Sequence, residues 1–423
     1  MKKIIFLALA GCFFFFQACE SDLGSVSATY VEATAIYGDL DAIYNTELNA
    51  PAEAIGNPGK IYIAEEFILI GEEEKGIHVI DNTDSSNPQN VSFINVPGNR
   101  EYFVNGNFLY AESYYDVVKI DISDPRNAVL EERANFVVPL EYKNEAGESL
   151  LGFSFNEVTK ELDPKSNFYQ DVINNQYVYY DYAQQVIPAS AVPSSFAGNS
   201  AASSGTVNRI TYAKDHVYIL GSSTLNIIRD TPGSFEKVDA PNSLFWGNDK
   251  ETIFPHGDNL FVGSRTSMDI YDISDAENPE QVYKFDHATS CDPVLPCEDV
   301  AYVTLRTADF SPCPGNINAL IVIDIENLNA PSQIDEIEMK SPFGMTVSND
   351  KLYVGEGENG LKIFDVSNKQ SPQLLHWEEN VQAYDVIPHP TRTDLILVAG
   401  PNGLGQYEID GNETLTLEST IQF

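Results

Sequence analysis

The residues of this 423-residue chain that invite a chemical reading are a glycine-rich hexapeptide, six scattered histidines, a group of acids beside cysteines, and a cluster of tyrosines. The hexapeptide "GEGENG" (Gly355 to Gly360) has the GxGxxG spacing that lets a backbone approach pyrophosphate, provided a strand precedes it and a helix follows. Strand-like runs flank it on both sides here, and Glu356 and Glu358 would repel phosphate, so it reads as a hairpin turn. The histidines (His78, His216, His256, His287, His376 and His389) show no metal-ligand spacing, and there is no CxxC and no GxSxG. Asp292, Glu298 and Asp299 offer the clustered oxygens that Ca²⁺ accepts, beside the plainer reading as solvated acids; no other cofactor is expected. Tyr169, Tyr177, Tyr179, Tyr180 and Tyr182 combine apolar area with hydroxyls. That suits a sugar or protein surface, or strands that merely cover one face of a domain. No spacing assigns a catalytic residue. Any site must be gathered from separate elements by the fold.

Composition narrows the partners. The formal charge of −39 repels nucleic acid phosphates and anionic headgroups alike. It favours cationic ligands, divalent cations or plain solubility. No nucleic-acid partner is expected.

The N-terminus, "MKKIIFLALAGCFFFFQACESD", runs from two lysines through an apolar stretch to cysteine and then to acids. This is the pattern of an export signal, too short for a membrane span. It resembles the signal of bacterial lipoproteins, which are cut before a cysteine that then carries the lipid. Cys12 in "LAGC" matches that motif more closely than Cys19 in "FQAC". Cutting at Cys12, however, leaves a short apolar region and four exposed phenylalanines, so Cys19 is the favoured lipid site, with residues 1–18 as the signal. The resemblance implies an outer-membrane lipoprotein, facing the periplasm or the cell surface, attached by acyl chains without spanning the bilayer. Three cysteines then remain, Cys291, Cys297 and Cys313. In an oxidising compartment a Cys291–Cys313 disulfide is favoured, with Cys291–Cys297 as the alternative. The favoured bridge stabilises by about 3 kcal/mol in the loop-entropy account.

The elements that would have to position any site come from a repeat. An apolar run ends in an acid at Asp81, Asp121, Asp272, Asp324, Asp365 and Glu408, and Arg229 takes that place in a seventh copy. Most anchors are spaced by about 42 residues, with one long insertion and one short one between them. Each unit reads as a strand, a Gly/Asn/Asp turn, a second strand, and then the anchor run, whose continuous apolar character predicts burial on both faces. Pro88, Pro279, Pro331 and Pro372, seven residues after their anchors, each open a fourth strand that must lie at an edge. Four antiparallel strands buried on both faces make a propeller blade, so the prediction is an all-β, seven-bladed propeller over residues 57–423.

The phrases "LYVGEGENGLKIFDVSNKQSP", "MDIYDISDAENP" and "LIVIDIENLNAP" resemble the LVIVD repeat of secreted bacterial proteins, many of them lipoproteins without an assigned activity. The resemblance implies the fold strongly and the function hardly at all. Outside the repeat, residues 19–56 form the lipidated tether and an N-terminal segment in which "YGDLDAIYNTEL" suggests a short helix. An insertion after blade two, about 139–204, holds the tyrosines and a Ser/Ala-rich half. The expectation is a monomeric, non-catalytic propeller that binds a protein or glycan. The alternative is a glycan hydrolase or lyase with its site on a propeller face, which a buried carboxylate pair at the axis would favour.

Overall fold

The computed structural model describes residues 25–135, 143–166, 168–169, 177–180, 185–188, 209–220, 224–238, 250–264, 266–286, 293–307 and 317–423. Antiparallel sheets whose strands follow chain order recur seven times. Blade one comprises Pro58–Ala64, Phe67–Glu72, Gly76–Asp81 and Gln89–Asn95; blade two comprises Tyr102–Asn105, Phe108–Ser113, Asp116–Asp121 and Val129–Ala134. Blades three to seven start at Ile210, Lys250, Val294, Met345 and Asp385 and end at Lys237, Asp286, Glu338, Glu378 and Ile421. First strands of consecutive blades touch one another, so they line the axis and the fourth strands form the rim. This is the seven-bladed propeller that the repeat predicts. Apolar clusters fill each of the seven interfaces between neighbouring blades. A blade therefore owes both its buried faces to its neighbours.

The repeated Asp has a structural task. Asp81 Oδ1 accepts from the Thr83 N–H at 3.1 Å, and Asp121, Asp272, Asp324 and Asp365 accept in the same way from residues 123, 274, 326 and 367. These Asx turns reverse the chain between third and fourth strands. Hydrogen bonds from the hydroxyls and N–H groups hold Asp81, Asp121, Asp272 and Asp365 below the usual carboxylate range. The prolines follow the turn, and in six blades a β-bulge then breaks the register of the rim strand. Bulges and prolines discourage edge-to-edge pairing. "GEGENG" is a hairpin turn: Glu356 N–H donates to the Gly360 carbonyl at 2.8 Å, and a Cβ at Gly360 would meet the Glu378 carbonyl at 2.2 Å.

Blade one carries a fifth strand, Asn49–Pro51, on its rim edge. The Asn49 side chain also bonds both backbone groups of Ala128 in blade two, at 2.8 and 3.0 Å. The short helix expected between residues 29 and 56 is Leu40–Tyr44, capped by the Asp39 carboxylate. A further four-stranded sheet gives the insertion strands, one of the two readings of its tyrosines, and unexpectedly pairs them with the N-terminal segment. It orders Ser149–Leu162, Val26–Gly38, Tyr177–Tyr180 and Gln185–Pro188 side by side. The described residues within 25–34 and 155–188 form a compact unit of their own, with Ala28 and Tyr30 packed against Val158, Leu162, Phe168 and Tyr169.

Ring closure joins residues more than 300 apart in sequence. Ile61, Ile68, Ile70 and Ile80 of blade one pack on Leu395, Leu397, Ala399 and Leu404 of blade seven. Among the described residues, no strand is shared between blade one and blade seven. Instead the buried amides of Asn82 and Gln406 exchange hydrogen bonds of 2.9 and 2.7 Å, and Gln406 Nε2 also donates to the Ser85 carbonyl. Gln406, in the third strand of blade seven, is the closing contact. Two expected outcomes follow from this geometry. Gln406→Met keeps the volume but strands the Asn82 amide, and denaturant unfolding should show a loss of about 1–3 kcal/mol. Deleting 141–203 removes no strand of any blade, though it takes Ser149–Leu162, Tyr177–Tyr180 and Gln185–Pro188 from the further sheet, so the deletion protein should retain a cooperative melt with only a small loss of β circular dichroism; insoluble protein would show that the ring needs the excised strands.

Candidate functional site

The inner strands are built alike, and one position in them stands out. The residue just before the first core residue of each inner strand is Lys60, Glu101, Arg209, Thr252, Pro293, Gly344 and Asp385, going round from blade one to blade seven. The core residues that follow (Ile61, Tyr102, Ile210, Ile253, Val294, Met345 and Val386) are all essentially inaccessible. Across blades seven, one, two and three the series therefore runs Asp385, Lys60, Glu101, Arg209: alternating charge at one mouth of the axial channel. The other three blades contribute a hydroxyl, a proline and a glycine.

Burial makes these charges unusual. Lys60 is 3% exposed, Asp385 1%. Loss of water lowers the Lys60 ammonium from its ordinary range, although Glu101 and Asp385 oppose the shift. Glu101 is raised by the same loss of water, opposed by Lys60 and Arg209 and reinforced by Glu73. Glu112 lies opposite Glu101 in the blade-two hairpin, its N–H donating to the Glu101 carbonyl at 3.0 Å. Desolvation, then the Glu101 charge, push Glu112 up to about 7, against the pull of Arg209 and Arg100. Both glutamates keep part of their surface open, although Glu101 Oε2 itself is shut off from water.

The nearby arginines also have other partners. Arg100 pairs with Glu74 at 2.9 Å, and the Arg209 guanidinium donates to the Leu220 carbonyl at 3.1 Å while its backbone N–H donates to the Glu101 carboxyl. Glu101 Oε2 is shut off from water and has no hydrogen-bond partner among the described residues; the same holds for the hydroxyl of Thr252, which is 3% exposed. Tyr62 and Tyr102 wall the blade-one side, their rings 5.4 Å apart, with the Tyr102 hydroxyl bonded to the Lys60 and Leu69 carbonyls. On the far side the Arg306 guanidinium lies over Phe343 at 4.1 Å, and Phe343 meets Tyr384 edge-on. Among the described residues, no three His, Cys, Asp or Glu side chains are grouped as metal ligands.

The residues singled out in the sequence lie elsewhere. Tyr169 is half-buried in the small core with Ala28 and Tyr30. Tyr177, Tyr179 and Tyr180 share one strand, where Tyr179 and Tyr180 pair with Glu32 and Ala33 and Tyr177 with Pro188. Tyr182, Cys19, Cys291, Cys313 and Asp292 fall outside the described residues. Glu298 and Asp299 sit on a hairpin turn of blade five next to Cys297, a free thiol pushed up by burial. Sequence reading missed the mouth because its members are one to a blade. The signal was present, however: "KIY", "EYF", "RIT" and "DVI" each place a charged residue directly before the first core residue of an inner strand.

The LVIVD repeat matches residues 344–376, which run from the start of blade six into its rim strand. No curated protein matches the chain. Among solved structures it is similar to Sqt1 of Saccharomyces cerevisiae, with 10% identity over 95% of this chain and 89% of that one at a TM-score of 0.47. A functionally unknown protein from Desulfotomaculum acetoxidans shows 9% identity over 86% and 97% at 0.48. A protein from Lactobacillus plantarum shows 12% identity over 94% and 97% at 0.41.

Two sets of carboxyls set opposite limits on stability. The Asx-turn aspartates have lowered folded-state pKa values, so their contribution is present above the ordinary value near pH 4 and lost as pH falls. Glu112 is raised, so its contribution is full below about pH 4 and is lost as pH rises through about 7. Glu112→Gln should abolish the upper limb, raising the melting temperature at pH 8 relative to pH 5.5. An unchanged difference between those two pH values would show that Glu112 does not hold a proton in the folded protein.

Proposed function

We propose that this LVIVD-repeat propeller is an exported, membrane-anchored lipoprotein that binds a protein or glycan through the loops and channel mouth on one face. The observation that carries the reading is the mouth itself, where four blades each deliver one charged side chain to a common ring position. Such a ring exists only in the assembled propeller, and a carboxylate oxygen kept from water without a partner, as at Glu101 Oε2, is costly unless it serves a purpose. The N-terminal sequence supports the address: a lysine pair, an apolar stretch, then cysteine followed by acids. A negative surface of this magnitude steers cationic partners and keeps a tethered protein in solution.

A second reading keeps its own observation. Glu101 and Glu112 form an adjacent carboxyl pair of the kind a glycan-processing enzyme would use, both raised by loss of water and Glu112 pushed up to about 7. Release of reducing ends from envelope polysaccharide, abolished by Glu101→Gln, would establish that reading in place of simple binding.

The binding reading is tested by capture from the native envelope with the wild-type protein and with Glu101→Gln. Capture that is specific to the wild type supports it; identical capture by both proteins places the partner away from the mouth. For the anchor, Cys19→Ser should abolish lipid labelling while Cys12→Ser leaves it intact. The reverse pattern would move the lipid to Cys12.

A further inference from the structure

We propose that the channel mouth binds a carboxylate carried on a sugar ring, a uronate-type residue of an otherwise neutral glycan, with the Arg306 guanidinium as its charge partner and the Phe343–Tyr384 pair as the wall beside it. This rests on the binding reading and names its ligand chemistry. Arg306 follows the second strand of blade five, while Phe343 and Tyr384 stand just before the inner strands of blades six and seven, next to the mouth positions Gly344 and Asp385. Arg100, Arg126, Arg133, Arg229 and Arg392 are each held by a carboxylate, and Arg209 donates to a backbone carbonyl. Among the described residues Arg306 has neither kind of partner, in a chain with 63 acids. Its guanidinium lies over the Phe343 ring, 4.1 Å from the centre, and the ring attracts the cation but leaves its N–H donors to be met from outside. Arg306 is half-buried, and loss of water lowers it from its ordinary value. Glu251 of blade four and the Tyr384 phenol face the guanidinium and oppose that shift without bonding to it.

The wall is held by backbone on every side. The Phe343 N–H donates to the Gly355 carbonyl at 2.8 Å, and the Phe343 carbonyl accepts from the Thr304 hydroxyl of blade five at 3.0 Å. Tyr384 meets the Phe343 ring edge-on at 4.8 Å, and its own backbone is bonded to Ala399 and Gly344. Gly357 of the "GEGENG" turn exchanges two backbone hydrogen bonds with Ala383 and lies against both rings. A Cβ there would stand 2.6 Å from Phe343 and 3.3 Å from Tyr384. The Tyr384 hydroxyl has no hydrogen-bond partner among the described residues. A guanidinium fork matches a planar carboxylate, and the phenol can add one further bond. The net charge of −39 repels a phosphate or a dense polyanion, and an acidic protein surface would bring many charges to a single arginine. A mostly neutral saccharide brings one carboxylate, together with C–H faces that suit aromatic rings.

Binding should therefore need both the charge and the ring. The test uses full-length protein carrying nitrogen-15 arginine, in which the Arg306 side-chain resonance is identified by its loss in Arg306→Lys. Methyl glucuronide is titrated, with methyl glucoside as the neutral control, acetate as the carboxylate without a ring and N-acetyl-aspartate methylamide as the peptide carboxylate. The expected result is a shift of the Arg306 resonance with the glucuronide at concentrations where the three controls have no effect. Calorimetry should show binding about tenfold weaker in Arg306→Lys, which keeps the charge but loses the fork. Tyr384→Phe, which removes only the hydroxyl, should weaken binding several-fold with an unchanged melt. Equal responses to glucuronide and glucoside, a response to acetate or to the aspartate derivative as strong as that to glucuronide, or no movement up to tens of millimolar glucuronide would overturn the proposal on the wild-type protein alone. Envelope capture that persists in Arg306→Lys while the glucuronide has no effect would overturn this assignment and leave the binding reading standing. A glucuronide response without any capture would do the opposite.

Discussion

Everything in this molecule depends on a sheet that is apolar on both faces. The third strand of each blade, such as Leu361–Asp365 or Ala319–Asp324, is buried along nearly its whole length and has no solvent side to retreat to. A blade in isolation would leave two such faces in water. Seven blades cover fourteen faces only when the first meets the last, so the ring is all-or-none in a way that an open stack of repeats is not. The tyrosines of the second strands show how neighbours are also aligned, beyond being covered. The Tyr218 and Tyr302 hydroxyls reach the Asx-turn carbonyls of Ala276 and Lys369 in the next blade, each within 3 Å.

The same logic accounts for the departures from the repeat. Tyr110 of blade two finds Asp230 in blade three, and Lys119 pairs with the same carboxylate at 2.6 Å, so the interface that the chain must leave and re-enter has its own ionic tie. Arg229, in the place of the usual acid, pairs with Glu236 and with Glu277 of blade four. In the last blade the turn is made by Asp410, which accepts from Asn412 and Thr414 two residues after the anchor place. These copies differ because their neighbours differ.

What was legible in the sequence was local. Asp81 and Thr83, or Asp365, Ser367 and Pro372, fix a turn and a strand start within a dozen residues, and that grammar repeats often enough to give the architecture. The mouth was not legible in the same way, since Lys60, Glu101, Arg209 and Asp385 belong to four turns of the repeat and meet only after closure. Nor was Val26–Gly38, whose parallel partner is Tyr177–Tyr180, far along the chain. The tyrosines drew attention by density. The charged ring had no density to show, only a constant place in each copy.

The closing contact between Asn82 and Gln406 has a consequence for how the chain comes into being. A chain that emerges from its amino end completes blade one long before the residues that cover it exist. Until blade seven is in place, the outer face of Ile61, Ile68 and Ile70 is a sticky apolar surface waiting on roughly the final forty residues. Its rim edge is already occupied by Asn49–Pro51, so only its flat face remains unguarded in that interval. The last stretch of polypeptide is thus the lock of the whole ring, and losing it would undo the beginning of the protein as much as its end.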